Sequence, residues 1–331
     1  MSIADKTLGT WWGRVPVSFF SMSMGYAGLA AAWREASQIY GVPVLIADGL
    51  MILGLMMFGA LVFGQMRRWQ SHADVLAAEF EDPIKGAFFA TFSMSLLSLA
   101  GSVLVHSPMA ASVMWGVGAA THLVIAVAII SRWFERDCDV ANVNPGWFLP
   151  SAGNLLVPVT GAQLGFVELS WFFFAVGFVL WAILFVILIY RVIFLGPFRP
   201  DLMPTLFVFL APPSLAALAL EALTGQMASP VGVVLIYTAV FFAVLLATLW
   251  RQFQKTGFAP IWWASTFPTA AMATACLRYG EEVSVMGAQL AGILALGFST
   301  TAVGVLSILT VMAARNGTLF VAPHPSPAGE T

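Results

Sequence analysis

The sequence predicts an all-α integral membrane protein of ten spans, on three observations: its composition, the spacing of its apolar runs and the placement of its basic residues. Of 331 residues, 60% are hydrophobic and 9% charged, against roughly 45–50% and 25% in an ordinary soluble domain. A net charge of −2 leaves no electrostatic footprint for nucleic acid. Cys138 and Cys276 are the two cysteines, too few for a disulfide framework or a metal cluster, and read as free thiols.

A helix needs about 20 residues to cross the ~30 Å apolar core of a bilayer. By that ruler the spans fall near residues 15–33, 43–65, 84–105, 109–131, 146–163, 169–190, 202–222, 230–250, 260–279 and 287–312. Nothing before the first run resembles a cleavable signal, so it reads as a retained span. An even number of spans puts both termini on one side, and cytoplasmic loops hold an excess of Lys and Arg. Lys6, Arg14, Arg67, Arg68, Lys85, Arg132, Arg136, Arg191, Arg199, Arg251, Lys255 and Arg315 fall on one side, and Arg34 and Arg278 on the other. Both termini are therefore predicted to be cytoplasmic, in the inner (plasma) membrane. Short connections after the third, fifth and seventh spans pair the helices as five hairpins. Residues 1–13 form a cytoplasmic N-terminal segment, 14–315 the transmembrane domain, and 316–331 a tail whose prolines and small residues predict disorder.

Odd and even spans differ in chemistry. The first carries Pro16, Ser18, Ser21, Ser23 and Gly25, the fifth Pro150, Ser151, Gly153, Asn154 and Pro158, and the seventh Pro204, Pro212, Pro213 and Ser214. Even spans such as "LMILGLMMFGALVF" are nearly unbroken apolar surface. Polar or irregular backbone at membrane depth is tolerated where protein or a cavity surrounds it. The odd helices are therefore expected inside and the even helices outside, facing the lipid bilayer.

The ninth span, "IWWASTFPTAAMATACLRYG", places Phe267 beside Pro268 in a run without charge until Arg278. A proline inside a helix removes one hydrogen bond and clashes with the carbonyl four residues back, here that of Ala264. Pro268 is expected to bend this helix. Seven residues from Pro260, at 1.5 Å each, put Phe267 roughly 10 Å above the cytoplasmic end.

"FFSMSMGYAGLAAAW", "FLPSAGNLLVPV", "LFVFLAPPSLAALAL" and "WWASTFPTAAMAT" together resemble the tellurite-resistance and dicarboxylate-transporter family that includes the plant slow-type anion channels. The resemblance runs over about residues 14–315, most specifically in LAPP and W-x-x-T-F-P. It implies ten helices as five hairpins about a central pore, a homotrimer, and small inorganic or organic anions as substrates. It also implies that Phe267 plugs the pore, with Phe20 a pore-lining aromatic.

Ser95, Asn154, Pro213 and Thr266 are further pore-lining candidates from the odd spans. Asp48 and Glu221 lie near outer span ends and read as interfacially hydrated, and His122 reads as a packing histidine. No odd span carries Lys, Arg or His at mid-depth. A neutral path of hydroxyls, N–H dipoles and aromatic edges binds anions weakly enough to release them. The reading is a passive channel for small monovalent anions. The alternative is a proton-linked secondary transporter or exporter of dicarboxylate, sulfite or a tellurite-type oxyanion. His72, His106, His122 and His324 are scattered and no Gly-rich phosphate loop is present, so no enzyme, metal or cofactor is expected.

Overall fold

The computed structural model describes residues 15–319. The expectations for residues 1–13, and for 320–331 of the tail, lie outside the described residues. Among these the chain is helical, without strands. Ten α-helices of at least 13 residues follow in order. They are α1 Phe20–Tyr40, α2 Leu45–Glu81, α3 Ala90–Val103, α4 Pro108–Glu135, α5 Leu149–Gly161, α6 Val167–Phe194, α7 Ala211–Thr224, α8 Pro230–Thr248, α9 Thr266–Val283 and α10 Met286–Arg315.

Among the described residues, seven helical segments are long and apolar enough to cross a membrane: Leu45–Glu81, Gly86–Val103, Pro108–Glu135, Val167–Phe194, Pro200–Thr224, Pro230–Thr248 and Met286–Arg315. The chain is a multi-pass membrane protein. Of the ten expected spans, α1, α5 and α9 fall outside this set. α5 has only 13 residues, while hydroxyl, glycine and charged residues dilute α1 and α9.

Every odd-numbered helix is preceded by a 3₁₀ segment: Val17–Phe19, Gly86–Phe89, Pro145–Phe148, Pro200–Leu210 and Pro260–Ser265. Proline explains three of these junctions. Pro150, Pro212, Pro213 and Pro268 stand at the second or third position of α5, α7 and α9. None can donate to the carbonyl four residues back, and those carbonyls lie in the preceding segment, which winds with the tighter i→i+3 pattern instead. Pro268 thus marks a change of helical type and does not bend a helix interior. At about 2.0 Å per residue through the 3₁₀ part, Phe267 stands about 13 Å from Pro260, farther than an all-α count gives.

Even-numbered helices start more simply. Ser107 and Ser229 cap α4 and α8, their hydroxyls accepting from Ala110 N–H and Gly232 N–H, each at 3.2 Å, with proline at the first helical position. α2 breaks at His72 (φ −149°, ψ 49°). Beyond the break Glu79 pairs with Arg68 and accepts from Val17 N–H at 3.3 Å, which ties α2 to the chain just before α1.

Burial separates the two sets. The apolar windows of Gly86–Val103 and Pro200–Thr224 are 72% and 78% buried, whereas those of the even-numbered helices are 22–33% buried. α1 packs against α3 and α9, α5 against α3 and α7, and α7 against α9; each even-numbered helix packs against the odd-numbered one before it. Gly177 of α6 lies so close to α5 that a Cβ would stand 2.9 Å from the Leu155 nitrogen.

Candidate functional site

A cavity of about 160 Å³ lies among α1, α3, α5, α7 and α9. Its wall repeats at helical spacing: Gly28, Ala31 and Glu35 on α1, Ser98, Gly101 and Ser102 on α3, and Phe267, Ala271, Thr274 and Arg278 on α9. Below it sits a void of about 10 Å³, bounded by Ser21, Thr91, Leu149, Val208, Ala264 and Pro268 among others. That is about the room of a single water. Phe267 is the residue that borders both spaces. Its ring stands opposite Gly28, where a Cβ would come within 2.8 Å of the ring's Cδ2. Glycine at position 28 leaves the space that the ring fills.

The other candidates take different places, and neither space is lined by Phe20, Ser95, Asn154, Pro213 or Thr266. Phe20 packs its ring against Phe58 of α2 and Phe92 of α3, at centroid distances of 5.5 and 5.1 Å. The Ser95 hydroxyl lies 2.7 Å from both Phe20 O and Thr91 O, at the contact of α3 with α1. Asn154 donates to Pro150 O at 2.7 Å and faces Gly177 of α6. The Thr266 hydroxyl donates to Trp263 O at 2.8 Å and sits where a Gly25 side chain would be. Pro213 is buried in the first turn of α7. These residues are out of place in lipid, as the sequence suggests, but helix contacts account for them. Three residues at 100° each turn the cavity-lining Ser98 about 60° away from Ser95 around the helix.

Hydroxyls on the cavity wall are also less available to an anion than expected. Ser98 donates to Met94 O at 2.8 Å and Thr274 to Ala270 O at 3.1 Å. Ser102 lies 3.3 Å from Ser98 O and 3.4 Å from Ala27 O. Their hydrogens go to backbone carbonyls, whereas the Thr160 hydroxyl, which also lines the cavity, makes no such bond among the described residues; away from the ions at its mouth the wall is neutral and weakly polar.

Charge gathers at the cavity mouth. Arg278 donates through Nε to Glu35 at 2.7 Å and through Nη1 to Glu221 at 2.8 Å. Its Nη2 makes no hydrogen bond among the described residues. Arg34 donates to Asp48 at 2.6 Å, and His106 lies 3.0 Å from the same carboxylate oxygen. Asp48 and Glu221 are therefore ion-pair partners, which the reading of simple interfacial hydration missed. Arg34 and Arg278, both at this mouth, are the two basic residues that the loop count sets apart from the other twelve. One sequence signal could have found the site: Gly28-Ala31-Glu35 and Ala271-Thr274-Arg278 are stripes of small residues, each ending in an ion. His122 is the packing residue expected. Its Nε2 donates to Pro150 O at 3.0 Å and its Nδ1 meets Ser93 Oγ at 2.9 Å, joining α4 to α3 and α5.

Residues 14–314 match the family model of voltage-dependent anion channels. The chain is 28% identical to the S-type anion channels SLAH2 and SLAH3 of Arabidopsis thaliana, over 90% of its own length in each case. It spans 59% and 48% of those two plant proteins. It is 21% identical to the tellurite resistance protein TehA homolog of Haemophilus influenzae, over 93% of both chains. The chain belongs to the voltage-dependent anion channel family.

Proposed function

We propose that this protein is a passive channel for small monovalent anions, with a path that runs between the odd-numbered helices and is closed by the ring of Phe267. The observation that carries the reading is the position of that ring, between a cavity and a void that are each walled by all five odd-numbered segments. The helix contacts support ten spans arranged as five hairpins around this path. The placement of basic residues supports cytoplasmic termini in the inner (plasma) membrane. The reading includes assembly as a homotrimer, with anions and the bilayer as the other partners, and rests there on the family resemblance.

Chemistry of the wall favours permeation over tight binding. A surface that is neutral away from the mouth, with most of its hydroxyl hydrogens engaged, holds an anion only weakly, as conduction requires. At the mouth two arginines meet three carboxylates, so an anion is not drawn into a deep well. Phe267→Ala in proteoliposomes is expected to raise anion flux strongly with a small change in thermal stability, and Phe267→Leu to be intermediate. A ring that served only as core would cost about 3–5 kcal/mol on truncation. An unstable Phe267→Ala variant with unchanged flux would remove the gate from this position.

The second reading, a proton-linked carrier of dicarboxylate, sulfite or a tellurite-type oxyanion, has one observation in its favour. Glu35 is a buried carboxylate on the cavity wall and can bind a proton there. Flux that depends on a pH gradient and becomes independent of it in Glu35→Gln would favour the carrier.

A further inference from the structure

Between α8 and α10 the surface opens into a crevice of about 450 Å³, which continues into one of about 310 Å³. Phe207, Trp250, Phe253 and Phe298 line both parts. Together they have the size of a small-molecule site, roughly 300–1,000 Å³. Neighbouring faces of α8 and α10 are exposed and apolar, Phe241 and Leu294 among them, so the opening faces lipid.

Hydroxyl-bearing residues in the crevice spend their hydrogens on their own helices. Thr269 bonds to Ser265 O at 3.0 Å and Thr266 O at 2.9 Å. Ser265 donates to Trp262 O at 2.7 Å, Thr256 to Phe253 O at 2.7 Å and Thr301 to Gly297 O at 2.9 Å. Water placed there would find few of the two to four partners it needs. An apolar chain loses nothing.

Beside Trp250 and Gln254, which line the crevice, stand Arg251, in the short helix Trp250–Phe253 that follows α8, and Lys255, in the turn after it, both exposed. Arg34, Arg68, Arg136, Arg199 and Arg278 have carboxylate partners, whereas Arg251 and Lys255 form no ion pair among the described residues. An apolar slot with a tryptophan where its two parts meet and two unpaired cations beside it matches the layout of an anionic lipid at a membrane interface. We infer that this crevice is a binding site for an anionic phospholipid, with one acyl chain between α8 and α10 and the phosphate at Arg251 and Lys255. The chain would touch α9 at Thr269 and Met272, on a different face from Phe267 and Ala271. The inference stands whether or not Phe267 is a gate.

Trp250 supplies the readout. The purified full-length protein is placed in phosphatidylcholine nanodiscs containing phosphatidylglycerol brominated on one acyl chain, or phosphatidylcholine brominated in the same way. Quenching assigned to Trp250 is the difference between the wild type and Trp250→Phe. Brominated phosphatidylglycerol is expected to quench at a mole fraction about 25-fold lower than brominated phosphatidylcholine, about five-fold per basic residue, equivalent to ~1 kcal/mol each. The double variant R251Q/K255Q is expected to abolish that preference, and Ala247→Phe, which fills the slot, to reduce quenching by both lipids. Equal midpoints for the two lipids in the wild type would overturn the site, as would a preference that survives R251Q/K255Q. High-yield cross-linking between copies through Val244→Cys, in a Cys138→Ser background, would also overturn it by placing a second copy in the crevice.

Discussion

α5 and α6 are consecutive helices that solve opposite problems. α5 has 13 residues, two prolines and an asparagine, and all but one of its residues are buried. α6 has 28 residues and buries only Ser170, Phe173, Gly177, Trp181, Leu184, Leu188 and Arg191. That set steps by three and four, a single stripe along the helix. The rest of α6, including Phe172, Val179, Ile183 and Val186, is exposed. In water such a stripe would stand out as apolar against polar neighbours. In lipid both faces are apolar, so hydrophobic periodicity carries no signal, and the contact face differs in size instead, with Ser170 and Gly177 where the helices approach. α10 repeats the pattern with Gly292, Leu296, Ser299, Val303 and Leu306. Helices that touch lipid on one side and protein on the other are told apart by small residues.

Substitutions on the two sides of this divide should separate in size. The largest effect is expected at the ion cluster around the buried Glu35, whose partners Arg278 and Glu221 are half-buried. Arg278→Ala leaves the Glu35 carboxylate buried without its cation and should cost about 3–5 kcal/mol, read as a fall in thermal unfolding temperature in detergent. Glu221→Gln keeps the Glu35 pair and should cost clearly less. Equal losses in the two variants would mean that the cluster works as one indivisible unit.

Next in size comes the close approach of α6 to α5. Gly177→Ala puts a methyl 2.9 Å from the Leu155 nitrogen, which is backbone and gives way only if the helix moves, at about 1–3 kcal/mol. The same change at Gly116 of α4 meets nothing within 4 Å and should stabilise by about 0.5–1 kcal/mol, as alanine does in a helix interior. Opposite signs would sharpen the contrast between contact and lipid faces; a destabilised Gly116→Ala would break it.

The smallest effect is expected from the hydroxyls. Ser98→Ala removes a group whose hydrogen already bonds its own helix, so stability should change by about 1 kcal/mol or less and anion flux by less than in Phe267→Ala. A large loss of flux in Ser98→Ala, measured in the same proteoliposomes, would mean that the hydroxyl turns toward the passing ion.

The sequence by itself determined the helical membrane class, because charge-poor apolar runs of span length have few other homes. It also determined where the irregular backbone lies, since Pro150, Pro212, Pro213 and Pro268 cannot donate the bonds an α-helix needs. Phe267 could be singled out from its neighbours and from the family resemblance. Which polar residues face the cavity was decided only by tertiary structure. Ser95 and Ser98 are chemically alike, and the packing of α3 against α1 turns one into the contact and the other toward open space. The clasp of Arg278 by Glu35 and Glu221 was likewise beyond a linear reading. Its members lie 243 and 57 residues apart in the chain, and only the folded arrangement of α1, α7 and α9 brings their charges within hydrogen-bonding distance.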